Sequence, residues 1–303
     1  MPSINNYQRT HVQGASNLDG VLWALAGMGL FSFIYISGKL SGTGASALQI
    51  MWLRYVGGFS TMALALLTQR DIARALSTTQ PVLHACRAAA GGLGGVAAIF
   101  AAAHMPVASA SAIGLMDGLL TVLLGVIVLR EHVSLRQWMA TIVSLAGAMT
   151  VVGSQGAFSV WDTGSAGPAL IALLGALLVA LESILIKTLV RAESTFTVLF
   201  YVNFFGSLIL AWPGLANWHE IPVQWLFAFL MLGPVAIGAQ YCNINAFRRA
   251  TASVVGPIRY SWVVYGAAFG VLFFDEPISL TTGVGIASVL VGGGWLATLK
   301  LKA

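Results

Sequence analysis

The chain has 303 residues, of which 58% are hydrophobic and only 8% charged, with a formal net charge of +5. Soluble domains carry about 25% charged residues, so a water-exposed surface cannot be made from these charges and a soluble globular class is excluded. No disulfide or metal framework follows from the two cysteines, Cys86 and Cys242, each inside an apolar run.

Residues 1–18 form a polar, cytoplasmic N-terminal tail in which no cleavable signal peptide is expected. Apolar runs then predict ten membrane-spanning helices, near 19–40, 46–67, 81–103, 106–129, 136–153, 168–188, 194–213, 222–247, 252–274 and 278–299. Each approaches the roughly 20 residues needed to cross the hydrocarbon, where backbone amides find no water and must bond within a helix. The segment 154–167, at the middle of the chain, reads as an external connecting loop, and 300–303 as a cytoplasmic C-terminal tail.

Basic residues set the orientation. With the N-terminus inside, the cytoplasmic segments hold Arg9, Arg70, Arg74, Arg130, Arg136, Lys187, Arg191, Arg248, Arg249, Lys300 and Lys302, eleven of the fifteen. The external side holds Lys39 alone, while Arg54, Arg87 and Arg259 lie inside spans, Arg87 close enough to the cytoplasmic end to snorkel. The positive charge is therefore topological, and nucleic acid is not an expected partner.

The two halves repeat. GVIVLREHVSL, from Gly125, matches GVLFFDEPISL, from Gly270, at a shift of 145 residues that also sets Gly147 on Gly292. Earlier in each half the shift is 148, setting Gly27 on Gly175, Lys39 on Lys187 and Gly58 on Gly206. Five spans is an odd number, so the second repeat (168–299) enters the membrane opposite to the first (19–153). The predicted fold is an all-α integral membrane protein of two inverted five-helix repeats, the architecture of secondary transporters that bind cargo between their halves. The repeated Glu131 and Glu276 read as structural, holding the ends of the fifth and tenth helices. The glycine run from Gly91 to Gly95 lacks the strand and the Lys-Ser/Thr of a phosphate loop and reads as close helix packing.

The duplicated Gly125-x5-Glu131 and Gly270-x5-Glu276 elements, with Gly147 and Gly292 and with Arg54 in Leu53-Arg54-Tyr55, resemble the drug/metabolite transporter superfamily and its EamA-type members. The resemblance covers nearly the whole chain. It implies ten helices, both termini cytoplasmic, and export of small metabolites. Within the family the chain is most similar to YddG-type amino acid exporters.

Charged groups deep in a span cost about 2.5–3.5 kcal/mol each and mark function by default. Arg54, Asp117 and Arg259 lie deep. At the 145 shift Asp117 falls on Trp262 and Gly114 on Arg259, so pseudo-symmetry turns both faces toward one central space. An amino acid zwitterion needs a donor for its carboxylate and an acceptor for its ammonium; Arg259 or Arg54 can donate and Asp117 accept, against the alternative of a buried structural pair. Asn203 and Gln240 are intramembrane amides, with Tyr241, Asn243 and Asn245 nearby, and are candidates for cargo contact or helix-to-helix bonds. Tyr201, Trp262 and Tyr265, with Trp23 and Tyr35, are candidates to shape an apolar pocket. Glu182 and His84 are candidates for gating or coupling, against a salt bridge for the first and a satisfied helix-end histidine for the second.

The expected activity is export of amino acids, aromatic or other apolar ones included, by alternating access. The alternatives are another metabolite or drug, such as a nucleotide precursor or sugar derivative, and, remotely, an intramembrane enzyme. His219-Glu220 has no second histidine at zinc-protease spacing, so neither metal nor cofactor is expected. The expected partners are a small-molecule substrate and the lipid bilayer of a bacterial-type inner membrane, with the protein acting as a monomer. Proton-coupled and facilitated transport both remain open.

Overall fold

A computed structural model describes residues 17–41, 45–105, 107–157, 166–216, 218–275 and 277–299. The secondary structure of these residues is helical throughout. The elements are α1 (Leu18–Ser41), α2 (Ala47–Leu66), α3 (Ile72–Leu76), α4 (Pro81–His104), α5 (Val107–Gly114), α6 (Met116–Leu129), α7 (Leu135–Ser154), α8 (Ala166–Ala192), α9 (Thr195–Ile209), α10 (Ala211–Leu215), α11 (Val223–Arg249), α12 (Ala252–Ile258), α13 (Ser261–Phe274) and α14 (Leu280–Thr298).

Among the described residues six stretches are long and apolar enough to cross a membrane: Pro81–Ala101, Ser109–Leu129, Leu135–Ser154, Ala166–Ala192, Val223–Arg249 and Leu280–Thr298. Leu18–Phe33 and Thr195–Ile209 are apolar but shorter. Large apolar side chains such as Ile127 (71%), Leu272 (72%) and Val291 (63%) stand exposed around the outside. A soluble monomer rarely shows so extended an apolar surface; lipid is the solvent that accepts it.

Two expected spans are broken. The run 106–129 divides into α5 and α6 at Leu115, and 252–274 divides into α12 and α13 at Arg259 and Tyr260. At the second break Pro257 supplies no amide hydrogen, and Arg259 N and Tyr260 N bond three residues back, to Gly256 O and Pro257 O, as a tightened turn.

The repeat is present in the packing as well as in the sequence. Gly58 on α2 lies against Asn203 on α9, and Gly206 on α9 lies against the ring of Tyr55 on α2; residues 55 and 203, like 58 and 206, are 148 apart. Gly147 on α7 lies against the Gly285 carbonyl and Val289 on α14, while Gly292 lies against the Ala140 carbonyl and Ser144. These partners are related by 145. Each contact therefore occurs twice with its roles exchanged, as at an isologous interface. As one helix of each pair ascends its partner descends, so α2 and α9, and α7 and α14, cross antiparallel. Arg130 and Asp275, also 145 apart, take the left-handed conformation (φ 55° and 52°) and end α6 and α13 alike. That conformation costs a non-glycine residue about 1–2 kcal/mol, and the fold accepts it at both positions.

A helix segment packed against its own repeat copy must straddle the pseudo-two-fold axis. Three crossings do so: α2 with α9, α5–α6 with α12–α13, and α7 with α14. Between the first two, packing from neighbour to neighbour runs α9, α4, α8, α6, then α12–α13, α1, α11 and α2. This ring of contacts bounds the expected central space, with the α2/α9 crossing as one wall and the α6/α12–α13 crossing as the wall opposite.

Candidate functional site

Asp117 and Arg259 meet on that second wall. Arg259 Nε and Nη2 both approach Asp117 Oδ2 at 2.9 Å, and the two side chains remain partly exposed, at 14% and 18%. The helix breaks explain why the charges are tolerated at this depth. Asp117 sits in the first turn of α6 and Arg259 caps the C-terminal end of α12. Each charge thus faces the helix end of opposite partial charge, worth about 0.3–1 kcal/mol apiece. Trp262, the repeat partner of Asp117, is 36% exposed. Gly114, the repeat partner of Arg259, has open space where a side chain would stand. Tyr265 packs over Gly29 of α1 and is 6.4 Å from the Phe269 ring.

The opposite wall holds Arg54, Asn203 and Gln240. Asn203 Nδ2 bonds the Leu199 carbonyl at 2.8 Å and reaches Gln240 Oε1 at 3.5 Å, while its buried Oδ1 has no hydrogen-bond partner among the described residues. Arg54 is 7% exposed. Among the described residues it forms no hydrogen bond or ion pair, and its guanidinium lies over the Tyr55 ring at 4.2 Å. A cation–π contact supplies about 0.5–2 kcal/mol, less than burying a charge without a counterion costs.

Tyr201 and His84 lie elsewhere, toward the end of the ring that carries Glu131. The Tyr201 ring is 4.9 Å from His84, and its hydroxyl donates to the Leu76 carbonyl at 2.9 Å. Among the described residues neither ring nitrogen of His84, which is fully buried, has a hydrogen-bond partner. Glu182 faces Arg87 at 3.8 Å. Arg87 does not snorkel: it is 1% exposed and donates to the Val198 carbonyl at 3.2 Å, because α8 and α9 cover it. Trp23 lies at the same end, with Arg249 over its ring at 5.4 Å. Asn245 bonds the Tyr241 carbonyl and Arg249, and the side chain of Tyr35 lies outside the described residues.

Two further corrections concern this end. Glu131 does not hold its own neighbour α7, whose N-terminus is closed by a capping box of Ser134 and Gln137. Its carboxylate instead accepts Ala252 N and Ser253 N, both at 2.9 Å, and the Ser253 hydroxyl at 2.8 Å, which joins the first half of the chain to the start of α12. Glu276 lies outside the described residues. Lys187 is not a surface charge: it is 8% exposed, and its ammonium donates to the Phe247 and Ala250 carbonyls, linking α8 to α11 across the ring.

The Glu131 end is therefore closed. Gly118 abuts the Tyr260 ring, and a methyl group on Gly256 would stand 3.2 Å from Thr121 Cβ. The opposite end differs. Gly266, the repeat partner of Thr121, has nothing within 4 Å of a methyl placed on it, including Ser111, the partner of Gly256. Among the described residues α6 packs along α12 and α8 packs on α11, whereas their copies, α13 with α5 and α1 with α4, show no comparable packing. Separately, an apolar groove of about 480 Å³, lined by Ile113, Met116, Met149, Leu170 and Leu173, lies between α5, α7 and α8; it has no charged lining and is distinct from the central space.

The sequence matches the EamA-like transporter family twice, over residues 18–153 and 167–297. It is 28% identical over 277 residues to the pseudopaline exporter CntI of Pseudomonas aeruginosa, covering 89% of this chain and 93% of that one. It is 25% identical over 247 residues to a riboflavin transporter of Brucella anthropi, covering 77% and 84%. One solved crystal structure superposes with a TM-score of 0.78 at 17% identity, covering 94% of this chain and 99% of that one, a likeness of fold alone.

Proposed function

The chain belongs to the EamA-like transporter family, and on that premise we propose that it is a ten-span secondary transporter of two inverted five-helix repeats, 19–153 and 168–299, exporting amino acids or closely related metabolites from the cytoplasm. Membership makes it a multi-pass membrane transporter of small molecules; the cargo, the span count and the sidedness are the proposal. The antiparallel crossings of α2 with α9 and α7 with α14 support the inversion. The distribution of basic residues supports a cytoplasmic Glu131 end, in a bacterial-type inner membrane.

One observation carries the reading. Asp117 and Arg259 join the two halves at paired helix breaks, on one wall of a ring of helices that is packed together at the Glu131 end and less so at the other. Broken helices at the midplane between repeats are where secondary transporters hold cargo. Loading from the cytoplasm requires the Glu131 end to open while the other end closes, and release reverses this; the protein needs no partner subunit for either step. Asp117 Oδ1, which has no bond among the described residues, supplies an acceptor for an ammonium, and Trp262 and Tyr265 supply aromatic surface. The names of the pseudopaline and riboflavin relatives favour a second reading, a metabolite other than an amino acid.

Reconstituted vesicles loaded with labelled amino acids test the cargo. Efflux above that of empty-membrane controls is expected. No flux of any amino acid, together with flux of another metabolite, overturns the amino acid assignment and leaves the transporter.

A further inference from the structure

We propose that Arg54 is the carboxylate receptor of the central space and that it selects cargo of net negative charge over the neutral zwitterion; this rests on the exporter reading above. Among the charged groups along the ring, Asp117 is paired with Arg259 and Glu182 faces Arg87. Arg54 is left with no counterion among the described residues.

Its direction follows from the helix it occupies. Ile50, Leu53 and Gly57 face α11, where they meet Phe229, Leu230 and Leu232. Tyr55 and Gly58 face α9, and Met51 faces α4 at Gly95. Arg54 falls between these two stripes, whereas Ser60, about 120° away and beyond the α11 stripe, is exposed. It therefore points between α11 and α4, into the ring. Its repeat partner, Val202, is apolar and buried, so the cation belongs to one side of a pseudo-symmetric wall and has no structural counterpart. A guanidinium in this position presents a fork of donors that fits a carboxylate. With the Asp117 and Glu182 carboxylates each facing an arginine already, a net anion cancels the charge of Arg54 and a zwitterion does not.

Three probes of one shape and different charge test this: phenyllactate, phenylalanine and phenylalaninamide. Their binding to the purified full chain in detergent is measured by calorimetry, alongside the melting temperature without ligand. Phenyllactate should bind at least tenfold more tightly than phenylalanine, and the amide should be weakest. Arg54→Gln should lose at least tenfold of phenyllactate affinity while its ligand-free melting temperature stays level or rises, because an uncompensated buried charge has been removed. Arg54→Lys should recover part of the affinity. Undiminished phenyllactate binding by Arg54→Gln overturns the proposal, as does a fall in its ligand-free melting temperature, which would make Arg54 structural. Equal binding of the three probes, or none, by the unmodified protein also overturns it. These are binding measurements, so they can fail while vesicle efflux succeeds, and the reverse.

Discussion

The two ends of the α5–α6/α12–α13 crossing are built from related sequence and do opposite things. At one end Gly256 lies against Thr121, and Glu131 ties α6 to the first amides of α12. At the other, the corresponding Ser111 and Gly266 are apart. Because the segments are copies, the difference cannot come from element type or length. It reflects a choice between two packings of the same parts. Such a bistable crossing is what alternating access between inverted repeats requires.

The largest effect on this comparison should come from filling the glycines. A Cβ on Gly256 would come 2.8 Å from the Gly118 carbonyl, a backbone atom that cannot swing aside. Gly256→Val should force the Glu131 end open, and Gly266→Val should be accommodated as the structure stands yet prevent the other end from closing. Both should reduce vesicle efflux more than tenfold. A thiol reagent applied from either side to a cysteine placed in the ring should label the two variants from opposite faces. Equal labelling would contradict the assignment.

Next is the ion pair. Asp117→Asn or Arg259→Gln removes one charge of the pair, so each single change should cost about 1–3 kcal/mol and the double change less than their sum. The melting temperatures of the three variants in detergent give the coupling, and flux should fall in both single variants with normal membrane insertion. Normal flux in both would remove the pair from the site.

Glu131→Gln should weaken bonds that, accepted by a charged group, are worth about 1.5–3 kcal/mol. The population open at the Glu131 end should rise roughly tenfold or more, read by labelling of the same ring cysteine. The smallest effect is a control: Ser134→Ala removes the cap of α7 and should lower stability by about 1 kcal/mol without changing which end is labelled.

Much of this architecture was legible in the sequence because it is repeated there. The shifts of 148 and 145 paired Gly58 with Gly206 and Gly147 with Gly292, and those pairs mark two of the crossings. The same shift turned Asp117 and Arg259 toward one space, where they bond. The breaks at Leu115 and Arg259 were not legible, since apolar residues on both sides give hydropathy nothing to register. Nor was the partner of Glu131. Ser134 and Gln137 satisfy the nearby helix end by themselves, and the amides that Glu131 serves lie 121 residues away. Lys187 and Arg87 read as basic residues near a membrane surface, and only the tertiary packing shows that α11 and α9 supply carbonyls to bury them.

Paired cysteines across the two ends test the exchange of closure most directly. With Cys86 and Cys242 replaced, Gly125→Cys with Ala252→Cys should cross-link readily in the resting protein, since a Cβ on Gly125 would stand 3.4 Å from Ala252 Cβ, near disulfide range, with only the Glu131 side chain otherwise beside it. Ser111→Cys with Gly266→Cys should cross-link only while cargo is being moved, and each bond should stop efflux until it is reduced. A Ser111–Gly266 cysteine pair that never cross-links while efflux proceeds would contradict the account.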